Sequence, residues 1–346
     1  MTVEPNNGKK SAMHLQALPQ SYKPFPQAAD KCDQNMISIS FVPTSSGSSK
    51  PNLDQLDSSF MYTQIMNKIL LTITVNQQRI DLFITYCRQL FTTSSKERQN
   101  VDKLQQEYDK YVPIWWYTNQ YFLYSMLKRS LRMMEIDLII CMGFFLEDLH
   151  NSIIELHAQH FTEHTHISPY TVYRGQELSQ THFDQMTRIQ GGVLSFNNFL
   201  LTSLDQELSL AFAQSNQNYP DLIGVLFEIT INPSTSTTPF TNMHGVSSFK
   251  DEPKILFSMH SICLIGFVKQ IDGNNRLWQV DLTLTSGNDA DLVAPTEQVR
   301  KKTDPDAEGW KRLGMLLTKL ENFDTAQALY DVFLDQTMPD YEKAYT

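Results

Sequence analysis

The chain has 346 residues and 41% of them are hydrophobic, which is enough for two domains with sizeable cores. Its 38 acidic residues outnumber its 28 basic residues, and this balance argues against general nucleic-acid binding, which requires positive charge to meet phosphates. The N-terminal segment lacks the apolar core of a secretory signal, and the longest apolar run, at 136–146, is too short to span a bilayer. We therefore expect a cytoplasmic protein that contacts neither nucleic acid nor membrane.

Two segments precede the first predicted strand. Residues 1–52 are rich in Ser, Pro, Asn, Gln and Lys and show no sustained hydrophobic period, which predicts a disordered tail. Residues 53–164 form a helical region, because apolar side chains recur every three or four residues, as at Leu123, Leu127 and Leu131.

Within this helical region, Pro113 precedes an aromatic stretch and favours the start of a new helix there. We interpret Trp115 and Trp116, which follow it, as core residues rather than a ligand site. Near the end of the region four histidines crowd together, namely His157, His160, His164 and His166. Their spacing is compatible with a metal site, but a solvated helix end is the favoured interpretation.

After Pro169 the pattern changes from helix to strand, and residues 165–286 form the next predicted domain. Its predicted strands lie at 171–173, 222–231, 255–259 and 278–284, where β-branched and aromatic residues are bounded by turn-forming stretches. Residues 287–307 are polar and contain breakers, which is typical of a linker. The whole pattern predicts an α+β fold.

The last segment, 308–346, has the spacing of a tetratricopeptide unit. The matching residues are Trp310, Leu313, Gly314, Ala326, Tyr330 and Phe333. The small side chains at 314 and 326 would let two helices approach closely, and Trp310 and Tyr330 would fill the space around them. One repeat cannot bury its own face, and the final residues YEKAYT are similar to the start of another unit. We therefore expect a truncated repeat array, with a plain helical hairpin as the alternative.

Three short motifs follow one another within residues 165–286. They are Tyr173-Arg174-Gly175, Leu201-Thr202-Ser203 and Asp251-Glu252-Pro253-Lys254. Their order resembles the arginine, Ser-Thr-Ser and Glu-x-Glu arrangement of the R-S-E class of mono-ADP-ribosyltransferases. The preceding helices and the following repeat also resemble the arrangement in multi-domain eukaryotic members of that family.

The resemblance implies a helical region followed by a split, mostly antiparallel β core with an NAD cleft. It also implies a reaction that moves ADP-ribose from NAD to an arginine of a protein acceptor, releases nicotinamide and needs no metal. Arg174 and Gly175 match the arginine motif that holds the NAD diphosphate, and Thr202 and Ser203 match the last two positions of Ser-Thr-Ser. Glu252 matches the first glutamate of Glu-x-Glu, which engages the acceptor arginine.

Two positions depart from the family pattern. Leu201 replaces the first serine and cannot form a hydrogen bond with ribose, and Lys254 replaces the glutamate that stabilises the ribose cation. The first hypothesis is therefore a transferase with an impaired site, and the second is a catalytically inactive NAD-binding or tetratricopeptide scaffold that holds a protein partner. A strand slip at Pro253 would move Glu252 towards the ribose and rescue catalysis.

Two further assignments have alternatives. Arg174 is suited to a diphosphate because its guanidinium offers a fork of donors, but a surface salt bridge is the plainer role. Phe212 and Phe227 have the size and shape to stack on nicotinamide, although a place in the core is favoured for both.

Overall fold

Helices make up the first half of the part that the computed structural model describes. The described residues are 39–42, 77–119, 122–133, 135–161, 168–215, 221–233, 236, 238–248, 253–285 and isolated positions between 314 and 330. The helices that precede the main strands in this part are α1 (Gln77–Leu90), α2 (Ser95–Glu107), α3 (Pro113–Thr118), α4 (Phe122–Met133), α5 (Ile136–Cys141) and α6 (Gly143–Phe161). A 3-10 turn, Tyr108–Lys110, lies between α2 and α3.

The helical region is packed around aromatic side chains. Phe83, Trp116 and Phe144 are completely buried, and the indole Nε1 of Trp116 donates to the Tyr108 carbonyl at 3.1 Å, which satisfies its one polar atom. The core interpretation is confirmed for Trp116, whereas Trp115 is only partly buried. As predicted, Pro113 occupies the start of a helix, where its missing N–H costs no hydrogen bond.

A mostly antiparallel sheet follows these helices. Its strands are β1 (Ile39–Val42), β2 (Tyr170–Ser179), β3 (Val193–Phe196), β4 (Leu200–Ser203), β5 (Leu222–Ile231), β6 (Phe240–Asn242), β7 (Lys254–Phe257), β8 (Ser261–Ile271) and β9 (Asn274–Leu284). Two helices lie between strands, α7 (Gln180–Arg188) and α8 (Gln206–Gln214). The strand order is β1-β3-β8-β9-β5-β2-β4-β7-β6, and β5 with β9 is a parallel pair. The predicted α+β class is confirmed.

Alternating side chains of the central strands form the core of the sheet. Val225, Phe227 and Ile229 of β5 are completely buried on one face, as the period of two along a strand requires. Val280 and Leu282 of β9 belong to the same hydrophobic cluster. The predicted run 222–231 therefore corresponds to β5 over its full length.

The predicted strands did not include β1, β3, β4, β6 or β8. β8 was missed because its run SICLIGFVKQI has no clear alternation of apolar and polar residues. β1 lies within the segment 1–52, so the prediction of disorder is wrong for residues 39–42. Ile39 and Phe41 are buried in the core, and Ser40 Oγ accepts a hydrogen bond from Asn197 Nδ2 at 2.6 Å. A four-residue strand is too short to stand out in a polar sequence.

The C-terminal segment is described only at isolated positions. A Cβ atom on Gly314 would collide with the ring of Tyr330, so these two residues approach closely, as the predicted helix pair requires. The predicted linker at 287–307 and the other repeat positions, apart from Ala326, lie outside the described residues.

Within the described ranges, no helix combines the length and apolar character needed to cross a membrane.

Candidate functional site

The sheet is nearly divided between β2 and β4. β2 pairs with β5 from Tyr170 to Ser179, whereas it meets β4 only through the pair Tyr173–Ser203. Beyond this point β4 pairs with β7, and β7 pairs with β6. Among the described strands this is the shortest pairing between neighbours, and it is where we locate the split that the resemblance implies for the β core.

Arg174 lies beside this bridge. Its Nη1 donates to the Leu201 carbonyl on β4 at 2.7 Å, and its Nε donates to Gln176 Oε1 at 2.9 Å. The first bond crosses the split and ties β2 to β4. These bonds use two of the five N–H groups of a guanidinium, so three remain for a ligand. No carboxylate in the described residues forms an ion pair with Arg174.

Two tyrosines from the helical region lie close to Arg174. Tyr117 at the end of α3 and Tyr124 on α4 have ring centroids 5.2 Å apart. Burial lowers the pKa of the Arg174 guanidinium, while Tyr124 and Tyr117 raise it. Burial also raises the pKa of Tyr117 well above its ordinary value, with Tyr124 adding to the rise and Arg174 opposing it. Arg174 thus lies beside two tyrosine side chains of the helical region.

Gly175 completes this motif and lies beneath α8. A Cβ atom there would collide with the Ser209 carbonyl and the Ala213 nitrogen of that helix. Gly224 on β5 plays the same part, because a Cβ atom there would collide with the Ala213 carbonyl. The two glycines let α8 lie directly on the sheet. Sequence predicts Gly175 as a cofactor-binding residue, but its contact in the structure is the α8 backbone.

The second motif, Leu201-Thr202-Ser203, forms the end of β4. Thr202 is buried, and its Oγ1 donates to the Ile255 carbonyl on β7 at 3.0 Å, so this hydroxyl is engaged inside the sheet. The Oγ of Ser203 accepts from the Asp205 N–H at 3.0 Å and shapes the turn into α8, while its own O–H remains a donor. Leu201 is partly exposed and has no polar side-chain atom.

Lys254 begins β7 directly opposite Ser203. Residues paired across antiparallel strands lie on one face with their Cβ atoms about 4.5–5.5 Å apart. Because Ser203 also pairs with Tyr173, the residues Tyr173, Ser203 and Lys254 form a row across three strands. Glu252 lies outside the described residues, so the proposed strand slip stays a prediction.

The side chain of Arg174 lies on the face of β2 opposite to the row formed by Tyr173, Ser203 and Lys254. Val172 and Leu178, which share its side by the alternation along a strand, belong to the hydrophobic core. Gly175 and Tyr173 take the other side, which α8 covers. The guanidinium and the Lys254 side chain therefore approach the split from different faces of β2.

The two candidate stacking residues differ in exposure. Phe227 is completely buried and packs edge-on against Phe196, with ring centroids 5.5 Å apart, which confirms its place in the core. Phe212 on α8 is 60% exposed, so the core interpretation is wrong for this residue. Ala213 beside it is the residue that faces the sheet, and a helix that is buried on one side exposes the next position.

The histidine cluster is described only in part. The Nδ1 of His157 lies 2.8 Å from the Phe240 carbonyl, so this ring fastens α6 to β6. His160 is exposed with its Nδ1 2.7 Å from the Leu156 carbonyl, while His164 and His166 lie outside the described residues. In the described part of the chain, no three His, Cys, Asp or Glu side chains are grouped closely enough to hold a metal ion.

The end of α3, for which no sequence motif predicts a role, lies beside the split. The Tyr117 hydroxyl donates to the Phe199 carbonyl at 3.4 Å, just before β4. The Thr118 Oγ1 accepts from the Ser248 N–H at 2.9 Å, in the loop before β7. Both contacts join residues far apart in sequence, and no local spacing signals them.

No family model and no curated protein matches the sequence. Several bacterial ADP-ribosyltransferases of known structure are similar in fold. The Vis toxin of Vibrio splendidus is 14% identical at a TM-score of 0.36, covering 64% of this chain and 91% of the toxin. The C3 exoenzyme of Clostridium limosum is 15% identical at a TM-score of 0.36, with coverages of 60% and 94%. HopU1 of Pseudomonas syringae pv. tomato is 15% identical at a TM-score of 0.34, and the match covers 64% of this chain and 96% of HopU1. At such identities the likeness concerns the fold alone.

Proposed function

We propose that this chain binds NAD in the split between β2 and β4 and is an ADP-ribosyltransferase-type protein whose transfer to protein arginine is impaired. The observation that carries the proposal is the position of Lys254 as the direct strand partner of Ser203. This puts a cation where the resemblance implies a catalytic carboxylate. We expect the protein to act in the cytoplasm on a protein acceptor.

The charge of that side chain matters because the reaction builds positive charge on the sugar. Breaking the bond between nicotinamide and ribose passes through an oxocarbenium-like cation, as in glycoside cleavage. Opposite unit charges about 4 Å apart gain about 4 kcal/mol at an effective dielectric of about 20, and a like charge loses a similar amount. Replacing carboxylate by ammonium therefore costs up to about 8 kcal/mol, which is several powers of ten in rate.

NAD binding is supported by groups that Lys254 does not affect. Arg174 keeps three N–H groups beyond its bonds to Leu201 and Gln176, and a guanidinium fork suits the two phosphates of NAD. Phe212 exposes an aromatic ring on α8, and its exposure makes stacking on nicotinamide possible. NAD would supply the ADP-ribose as co-substrate. The resemblance implies that the reaction needs no metal.

The acceptor side rests on the resemblance. Glu252 is expected to engage the acceptor arginine, and it stands one residue before Pro253, whose carbonyl accepts from the Leu204 N–H at 3.1 Å. The chain segment that carries Glu252 is therefore tied at its end to the residue that follows Ser203.

The experiment that tests this function compares binding with turnover in the purified protein. Calorimetry with NAD is expected to show binding, and release of labelled nicotinamide is expected to be slow with and without agmatine, a small guanidinium acceptor. An NAD affinity too weak to measure would contradict the proposal. Turnover at the rate of an enzyme with an intact glutamate would contradict the impairment.

A scaffold without turnover is the second candidate. The observation behind it is the close approach of Gly314 to Tyr330, which fits the predicted repeat as well as a plain helical hairpin, and a repeat would offer a surface to a protein partner. Binding of NAD with no nicotinamide release under any acceptor condition would favour this function. The partner would then be a protein held by the repeats.

A further inference from the structure

The guanidinium of Arg174 and the end of α3 meet the same short stretch of chain. Arg174 donates to the Leu201 carbonyl on β4 at 2.7 Å, and the Tyr117 hydroxyl donates to the Phe199 carbonyl two residues earlier at 3.4 Å. The Tyr117 and Phe199 rings also pack together, with centroids 5.8 Å apart. The helical region therefore comes close to Arg174 at the start of β4.

Tyr124 and Lys128 on α4 extend this contact towards solvent. The Tyr124 ring lies edge-on to the Tyr117 ring, with centroids 5.2 Å apart, and the Lys128 Nζ lies 5.9 Å from the centre of the Tyr124 ring. Residues four apart on a helix share one face, so both side chains leave α4 in the same direction. Burial lowers the pKa of Arg174, whereas Tyr124 and then Tyr117 raise it, which fits phenols beside the guanidinium.

Three groups in this place have hydrogen-bond donors to spare. Arg174 keeps three of its five N–H groups beyond its bonds to Leu201 and Gln176. Within the part of the chain that the structure describes, Tyr124 forms ring contacts and Lys128 lies over a ring, but neither side chain enters a hydrogen bond or an ion pair. Arg174 and Tyr124 are partly exposed and Lys128 is exposed, so a ligand can reach all three.

This set of donors suits a ligand with negative charge on more than one group. A guanidinium binds phosphate oxygens through parallel hydrogen bonds, an ammonium acts as a compact point charge, and a phenol donates one further bond. A diphosphate has two adjacent charged groups, so it can use Arg174 and Lys128 together. A single carboxylate has only two oxygens and would engage one cation at a time.

We propose that Arg174, Tyr124 and Lys128 form a diphosphate subsite between β2 and α4, in which the helical region supplies two of the three groups. Arg174 is the inner cation, Lys128 is the outer cation, and the Tyr124 hydroxyl donates to an oxygen between them. The inference rests on the proposed function for the identity of the ligand as NAD, whereas the preference for a diphosphate does not.

The test uses two variants of the full chain, each with a matched control. Lys128→Gln removes the charge and keeps most of the side-chain length, and Tyr124→Phe removes only the hydroxyl. Lys103→Gln is the control for the lysine, because its Nζ also lies over an aromatic ring, that of Trp115, at 5.6 Å. Tyr111→Phe is the control for the tyrosine, because its ring also packs on another aromatic ring. Thermal unfolding of each variant measures the general cost of the substitution.

Calorimetry with inorganic pyrophosphate measures the subsite without nicotinamide, ribose or any reaction. At an ionic strength of about 0.1 M, we expect Lys128→Gln to weaken pyrophosphate binding about fivefold, the scale for an exposed charge pair. Tyr124→Phe should weaken it about tenfold, the scale for a hydrogen bond to a charged group. Both controls should match the wild type. At about 1 M salt the effect of Lys128→Gln should largely disappear, because salt screens exposed charges.

Three results would overturn the subsite. They are a wild type that does not bind pyrophosphate, equal affinity in the wild type and Lys128→Gln, and a loss in Lys128→Gln that is the same at both salt concentrations, since lost packing does not depend on screening.

Repeating the titrations with NAD separates the subsite from the proposed function. We expect the same order of effects with NAD as with pyrophosphate. If pyrophosphate binds and responds as expected but NAD does not bind, the proposed function fails and the subsite serves another diphosphate. If NAD binds equally well to the wild type and to both variants, NAD lies elsewhere and the role given to Tyr124 and Lys128 is wrong.

Discussion

The two sides of the split in the sheet differ in what they retain. The arginine side is formed by β2, whose Arg174 keeps donors beyond its two bonds on one face, and by α8, which covers the opposite face of β2 and exposes Phe212. The lysine side, formed by β4 and β7, carries Leu201 and Lys254, where the proposed function expects a polar and a negative group. The proposed function therefore assigns NAD binding to one side and catalysis to the other, so the two can be tested separately.

Residues that hold neighbouring elements together are present on both sides of the split. Gly175 and Gly224 admit α8 on the arginine side, and Thr202 joins β4 to β7 on the lysine side. These residues maintain the split whether or not chemistry occurs there. The residues that pack the sheet and the residues of the proposed site are therefore different ones.

The largest effect is expected at Glu252. Glu252→Gln keeps the shape and removes the charge, so transfer to a guanidinium acceptor should fall about 10²–10³-fold, the scale for one preorganised electrostatic contact. Hydrolysis of NAD by water should be spared, since the acceptor is then not needed. Glu155→Gln at an exposed position of α6 is the control. An equal loss of hydrolysis would show instead that Glu252 serves the ribose.

The next effect tests the arginine side. Arg174→Ala should weaken NAD binding by about 1.5–3 kcal/mol, the worth of a charged hydrogen bond, or roughly 10- to 150-fold. Calorimetry measures it. Arg276→Ala is a close control, because Arg276 also donates to a strand carbonyl, Leu222 O at 3.1 Å. Equal NAD affinity in the two variants would return Arg174 to a purely structural role that ties β2 to β4.

The lysine side is tested by restoring the missing charge. Lys254→Glu should raise nicotinamide release at least about tenfold, because a carboxylate stabilises the cation that an ammonium repels. Lys269→Glu makes the same charge change at an exposed position of β8 and should leave the rate unchanged. A wild type that already turns over rapidly, with no gain in Lys254→Glu, would contradict the comparison drawn above.

The smallest effect separates structure from ligand binding at Thr202. Thr202→Val removes the bond to the Ile255 carbonyl and should lower the free energy of unfolding by about 1 kcal/mol. NAD affinity should not change, because this hydroxyl is engaged inside the sheet. Urea unfolding and calorimetry check the two statements, with Thr230→Val at an exposed position of β5 as control. If NAD binding is weaker in Thr202→Val but not in Thr230→Val, the Thr202 hydroxyl contacts the ribose instead.

Local sequence patterns predicted several helices and strands of this structure. The period of apolar residues predicted α4, and Pro113 predicted the start of α3, because helix signals depend on neighbouring residues. The run at 222–231 predicted β5 since a long β-branched segment is typical of a buried strand. The motif that contains Arg174 predicted a residue at the split. Each of these inferences used information that lies within one element.

Tertiary structure decided what lies beside what. β1 is a strand because it pairs with β3, which is more than 150 residues away, and the composition around it predicts the opposite. Phe212 and Phe227 look alike in sequence, yet one is exposed and the other is buried, since only the packing of α8 on Gly175 and Gly224 distinguishes them.

The sequence by itself determined the order of the three motifs and the residues Leu201 and Lys254, which depart from the pattern of the family it resembles, because residue types are read directly. Only the tertiary structure placed Lys254 opposite Ser203 and attached Ser248 to Thr118. Strand register and long-range hydrogen bonds depend on how whole strands and helices pack. The preference of a single residue for helix or strand cannot specify them. Residue types could therefore be read from the sequence alone, whereas their relative positions depend on contacts between distant parts of the chain.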